Sequence, residues 1–197
     1  MLVLVHELPT SPYPFIRSGN RDVETITARS TYVRNGSING QARAYAEEDK
    51  MPNTVRFHRV LRATPERVYR AFLDADAMVK WLPPNGFTGK VHHLDARVGG
   101  TYKMSFTNFT SGKSHSFGGE YLELVPHERI RHTDRFDDPN LPGQMETTVT
   151  LKKVLVGTEV HIVQEGVPDV IPPEACTLGW QESLTLLAKL VEAEIPD

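Results

Sequence analysis

The feature that most constrains this chain is a succession of short alternating segments between Phe87 and Glu165, with only brief turns between them. Along 101–109, Tyr102, Met104 and Phe106 alternate with Thr101, Lys103 and Ser105. That period of two puts one set of side chains on each face of a strand. Turn chemistry punctuates the run at Val98-Gly99-Gly100, Ser111-Gly112-Lys113, Pro126-His127-Glu128 and Val156-Gly157, with a longer loop over 137–143. Strands joined by tight turns run antiparallel, because parallel neighbours need a long crossover. Residues 87–96, 101–109, 114–124, 129–136, 144–155 and 158–165 therefore read as six strands of an antiparallel sheet.

Residues 54–63 add a seventh strand, with Val55, Phe57, Leu61 and Ala63 on one face and Arg59 among them. Thr64-Pro65-Glu66 then opens a helix. Thr64 is an N-cap residue, Pro65 suits the first helical position, and Glu66 favours the positive end of the helix dipole. Val68, Phe72 and Leu73 are its apolar stripe. A second short helical turn spans 76–81 and stops at Pro83-Pro84. Pro172-Pro173-Glu174 starts a long C-terminal helix with the stripe Leu178, Leu184, Leu187 and Val191, joined by Trp180. The predicted class is α+β: a curved seven-stranded antiparallel sheet, two short helices after the first strand, and one long helix in its concave face with a cleft beneath.

Residues 1–52 lack this patterning and read as a poorly ordered N-terminal extension. Pro9, Pro12 and Pro14 break any early element. Residues 25–33 could form a strand and 41–50 a weak helix. Met51 is a candidate start of translation. Residues 53–197 read as the folded domain. Lys and Arg number 22 against 25 Asp and Glu, a net charge of −3. That balance argues against the basic footprint of a sequence-independent nucleic-acid binder. One cysteine, Cys176, cannot make an internal disulfide or a thiolate zinc cage. No run reaches the roughly 18–20 apolar residues of a membrane span, and the apolar start ends at His6-Glu7. A cytoplasmic protein without membrane insertion is expected.

Tests for specific chemistry narrow the field. Gly112-Lys113-Ser114 ends like a phosphate-binding loop, but position 107 is Thr where that pattern needs Gly. His92 and His93 are adjacent in a strand, so they should face opposite ways. His115 and His132 are expected to approach across strands, but two ligands do not make a structural zinc site. No metal or cofactor is expected. Cys176 reads as a small buried helix residue, with a lowered thiol pKa as the alternative.

The inward faces are the best candidate site. Tyr102, Met104, Phe106 and Asn108 share one strand face. Ile130, His132, Asp134 and Phe136 share another, and Gln164 continues the face of Val160 and Ile162. Arg59 continues that of Phe57 and Leu61. With Leu184 on the helix above, Arg59, His132, Asp134 and Gln164 would be four polar groups in an apolar lining, the usual form of a small-molecule site. Arg59 and Asp134 form a structural ion pair in one reading. In the other they orient a ligand or, with His132, act as acid and base. Trp81 and Trp180 close the cavity mouth or belong to the core. The loops 109–117 and 137–143 are candidate rims.

Four sequence words occur in order: Ala63-Thr64-Pro65-Glu66-Arg67-Val68-Tyr69 through Trp81; Arg97-Val98-Gly99-Gly100; Gly119-Glu120-Tyr121-Leu122-Glu123-Leu124-Val125-Pro126 with Glu128-Arg129-Ile130; and Gly179-Trp180-Gln181-Glu182-Ser183-Leu184. Together they resemble the START-like helix-grip (SRPBCC) superfamily. Within it the chain is similar to the C-terminal domain of the activator of Hsp90 ATPase and to polyketide-cyclase-like proteins, over about 54–197. The resemblance implies a helix-grip fold and a small apolar or aromatic ligand under the long helix. It also implies two alternatives: a cyclase, dehydratase or hydrolase acting on an aromatic or polyketide-like compound, and an Hsp90-type chaperone partner. An exposed sheet edge is a candidate homodimer contact.

Overall fold

The computed structural model describes residues 53–195. The expectations for 1–52 lie outside the described residues. Strand β1 (Val55–Leu61) is followed by helices α1 (Pro65–Ala71) and α2 (Ala75–Trp81). Then come β2 (Phe87–Leu94), β3 (Thr101–Asn108), β4 (Ser114–Val125), β5 (Arg129–Phe136), β6 (Met145–Val154) and β7 (Gly157–Glu165), and finally α3 (Pro173–Val191). The seven strands form one curled sheet in the order β1-β7-β6-β5-β4-β3-β2, and every neighbouring pair is antiparallel. The hairpin turns dictate the order β2 to β7. Only β1 departs from it, adding to the free side of β7 after the helical excursion.

The helix starts are built as their sequences imply. The Thr64 hydroxyl accepts from the Arg67 amide at 3.4 Å, and the Asp74 carboxylate accepts from the Ala77 amide at 2.9 Å. Each satisfies an amide that has no partner within its helix. Trp81 is fully buried, and its Nε1–H donates to the Ala71 carbonyl at 2.8 Å. The last residue of α2 thus occupies a carbonyl left over at the end of α1. The Ser183 hydroxyl donates to the Leu82 carbonyl at 2.6 Å and ties α3 to the end of α2.

On α3 the buried face is Cys176, Trp180, Ser183, Leu184, Leu187 and Val191. Leu178 is a correction to the predicted stripe, since it is exposed. At 3.6 residues per turn it lies about 200° from Trp180. A second correction concerns β2. Its register against β3 shifts between Val91 and His93, and both His92 and His93 are exposed. The bulge breaks the simple alternation that would have sent them to opposite faces. Among the described residues no helix is long and apolar enough to cross a membrane.

Gly119 shapes the middle of the sheet. It pairs with Tyr102 on β3, one step beyond the Gly118–Arg135 pair on the other side of β4. A Cβ at Gly119 would lie 1.8 Å from the Thr133 carbonyl oxygen, so only glycine permits this approach of β4 to β5. The absent side chain also leaves the phenol of Tyr102 free to lie across β4 and reach β5.

Candidate functional site

The concave face of the sheet and the three helices enclose a small cavity of about 40 Å³, room for a few waters at most. Phe72, Met78, Trp81, Leu82 and Trp180 wall it from the helical side. Tyr102, Phe106, Phe117, Tyr121 and Ile130 wall it from the sheet. Three polar side chains, His132, Asp134 and Gln164, complete the lining.

These polar groups form one directed network. On α3 the Trp180 Nε1–H donates to Gln164 Oε1 at 2.9 Å, and the Cys176 thiol donates to the same oxygen at 3.4 Å. Gln164 Nε2 donates to the Thr147 hydroxyl at 3.3 Å, and Thr147 donates to Asp134 Oδ2 at 3.0 Å. From the other side the Tyr102 hydroxyl gives its proton to Asp134 Oδ1. Every donor points toward the Asp134 carboxylate, so both of its oxygens are engaged although the residue is buried. A buried acid held in this way avoids the large cost of an unpaired charge.

His132 stands beside it. Its Nδ1 lies 3.1 Å from the Tyr102 hydroxyl, 3.3 Å from the Thr133 carbonyl and 3.4 Å from Asp134 Oδ2. Three oxygens around one ring nitrogen assign the proton to that nitrogen. Burial, and then the nearby Asp134 charge, push the Tyr102 phenol well above its ordinary pKa, and burial does the same to Tyr121. Both phenols therefore remain neutral, and Tyr102 serves as a donor. Burial also pushes the Cys176 thiol up, contrary to the lowered thiol that a helix start suggested as the alternative.

The structure separates the sequence candidates. It brings Tyr102, Phe106, His132, Asp134, Gln164, Trp81 and Trp180 to the cavity. Met104 and Leu184 are buried in the core without reaching the lining. Arg59 does not pair with Asp134. Its Nη1 donates to the Thr185 hydroxyl on α3 at 3.3 Å, because β1 lies three strands from β5 in the sheet, a separation of about 14 Å. Asn108 leaves the face at the strand end, where its Oδ1 accepts from the Thr110 and Ser111 amides, both at 2.9 Å. His115 and His132 do not meet. His115 lies on β4 itself, and the β4 partner of His132 is Tyr121, six residues further along, which puts the two histidines about 20 Å apart along the strand direction. Of the two expected rim loops, 109–117 reaches the cavity only through Phe117 at its end in β4, while 137–143 does not line it and its Leu141 is buried.

Thr147 is the network member that the sequence reading missed. Its signal was present: Met145, Thr147, Val149 and Leu151 alternate as buried residues of β6. Phe117 and Tyr121 were also missed, because Gly118-Gly119 interrupts the alternation between them.

A family model described as activator of Hsp90 ATPase homolog 1-like protein matches residues 62–192. A Chromobacterium violaceum protein of known crystal structure is 66% identical, covers 73% of this chain and 100% of its own, and has a TM-score of 0.72. A Rhodobacter sphaeroides crystal structure is 21% identical, covers 70% of this chain and 91% of its own, and has a TM-score of 0.62. A Staphylococcus epidermidis solution structure is 19% identical, covers 76% and 96%, and has a TM-score of 0.63. The last two share the fold. No protein of curated function matches the sequence.

Proposed function

Because the chain belongs to the activator of Hsp90 ATPase homolog 1-like family of the helix-grip superfamily, we propose that it binds a small, largely apolar ligand carrying one hydrogen-bonding group. The site is the chamber between the sheet and α3. One observation supports this above others: aromatic and aliphatic walls converge on a single polar end made by Asp134, Tyr102 and His132. Such a combination orients a ligand by one polar contact while burying the remainder.

The cavity of about 40 Å³ is far smaller than the roughly 300–1,000 Å³ of ordinary ligand sites. Binding therefore requires a wall to move. The wall suited to this is the pair α1 and α2, each of seven residues, which presents Phe72, Met78 and Leu82 to the cavity. Short helices held by few turns are the elements that open at low cost in free energy.

Binding is favoured over turnover by the state of the polar groups. Both Asp134 oxygens already accept hydrogen bonds, and the Cys176 thiol is pushed up and engaged by Gln164. A hydrolase that works through a thiol nucleophile needs that thiol free and its pKa lowered, whereas the polar end keeps acceptor capacity to orient a bound ligand. An Hsp90-type contact would use the surface. There the exposed large apolar residues of the described chain, such as Val98, Phe109 and Val156, stand at different turns.

The two tryptophans of the chain, Trp81 and Trp180, both line the cavity, so their emission reports its occupancy. Titration of the full chain with 2-naphthol is expected to quench them saturably, with one probe per chain by native mass spectrometry. Leu82→Phe, which enlarges a wall residue, should weaken binding at least tenfold while leaving the circular dichroism spectrum unchanged. Unquenched emission up to the solubility limit of the probe would count against the proposal. So would equal binding by a folded Leu82→Phe variant.

A further inference from the structure

The outer face of the sheet, away from the chamber, carries a second cluster of titratable side chains. His58 on edge strand β1 is the direct register partner of His161 on β7. Glu159 precedes His161 by two residues on β7, so the two side chains share a face. His58 Nε2 lies 2.9 Å from Glu159 Oε1, and His161 Nε2 lies 3.5 Å from the same oxygen. The two imidazole centroids are 4.6 Å apart with their planes at 34°. One ligand atom from each of the three residues falls within 4.8 Å of the other two.

These separations have a chemical meaning. A tetrahedral ion with bonds of about 2.0–2.1 Å holds its ligand atoms roughly 3.3 Å apart. The observed 2.9 and 3.5 Å bracket that value, so an ion could be accommodated by rotamer adjustments without moving either strand. A surface hydrogen bond between His58 and Glu159 would account for two of the residues and contribute little. It gives no reason for the second imidazole to point at the same carboxylate oxygen. The donor set also discriminates among ions. Two imidazoles and one carboxylate suit the borderline divalent transition metals, whereas magnesium and calcium prefer oxygen throughout.

We propose that His58, Glu159 and His161 form a site for a divalent metal ion of the zinc class, clipping edge strand β1 to β7 and leaving the remaining coordination positions to water. Lys152 is the register partner of Glu159 on β6. Its positive charge opposes the ion and limits the affinity. The site is separate from the ligand chamber, and neither proposal depends on the other.

The test uses zinc chloride and the full chain, freed of metal with a chelator. Isothermal titration is expected to give one zinc ion per chain, with a matching rise in unfolding temperature, since an ion that binds only the folded state stabilises it. His161→Ala and Glu159→Gln should each weaken binding at least tenfold and abolish the thermal shift. His93→Ala, on the opposite edge strand β2, should change neither. Cobalt(II) in place of zinc should give visible absorption that both site variants lose. Equal affinity in wild type and both site variants would place the ion elsewhere and overturn the proposal. So would the absence of heat and thermal shift at millimolar zinc.

Discussion

The two faces of one sheet carry similar chemistry in opposite surroundings. Inside, His132 stands 3.4 Å from Asp134, with side chains 17% and 8% exposed. Outside, His58 stands 2.9 Å from Glu159, with side chains 53% and 25% exposed. The shorter contact is the one that matters less to folding. Water can replace either partner of the outer pair at little cost, so that pair contributes little. The inner carboxylate has no such substitute. It is reached by Tyr102 from β3 and Thr147 from β6, and removing it would strand their protons in an apolar chamber. Solvent access, more than distance, separates a structural network from a cluster open to an incoming ligand.

The largest expected effect follows from removing the common acceptor. Asp134→Ala leaves the Tyr102 hydroxyl, the Thr147 hydroxyl and the His132 N–H without their carboxylate partner. It should lower stability by about 3–5 kcal/mol, the range for breaking a buried polar pair on one side, as read from urea unfolding. Glu159→Ala in chelated buffer should leave the same curve unmoved. A loss below about 1 kcal/mol for Asp134→Ala would show that water serves the inner donors equally well, and the contrast between the faces would fail.

Alkaline pH probes the inner face without mutation. Tyr102 and Tyr121 have pKa values raised in the fold, first by burial. A group with a raised folded pKa stabilises the protein below its unfolded pKa and loses that contribution above it. Stability should therefore hold up to about pH 10 and then fall, approaching about 1.4 kcal/mol per pH unit for each of the two tyrosines. Phenolate absorbance from them should appear only as the protein unfolds. Tyr102→Phe should reduce the alkaline slope toward that of one tyrosine. At neutral pH it should cost about 1–2 kcal/mol, because the hydroxyl is lost from both Asp134 and His132.

The inner network was partly legible in the sequence. Period-two alternation put Tyr102 with Phe106, Asp134 with Ile130, and Gln164 with Ile162, and parity along a strand needs no knowledge of its neighbours. Sheet order was not legible at β1. Residues 62–86 separate it from β2, so nothing local says that β1 joins β7, and the Arg59–Asp134 pairing failed on that point. Asn108 kept the right parity but stood where β3 ends, and its side chain went to the turn. Leu178 failed because it does not share the helical phase of Trp180, Leu184 and Leu187. The outer cluster joins residues about a hundred positions apart, so close ligand spacing in the sequence does not reveal it. The pair Glu159 and His161, two apart on one strand face, was the only local sign.

The smallest expected effect is the sharpest check on the outer face. Replacing His58 and His161 together by Thr keeps side chains that suit a strand and removes both imidazoles from the Glu159 carboxylate. Strand β1 should remain in place, because Val55 and Leu61 are buried on its other face and its ladder to β7 runs from Val55 to Leu61. In chelated buffer the unfolding temperature should change by less than about 2 °C, the ordinary range for surface substitutions in a domain of this size. Addition of zinc should then separate the proteins, raising the midpoint of wild type and leaving the double variant where it was. If the double variant already loses as much stability without metal as Asp134→Ala does, the outer imidazoles are structural in their own right. The distinction drawn from solvent access would then have to give way to one based on contacts.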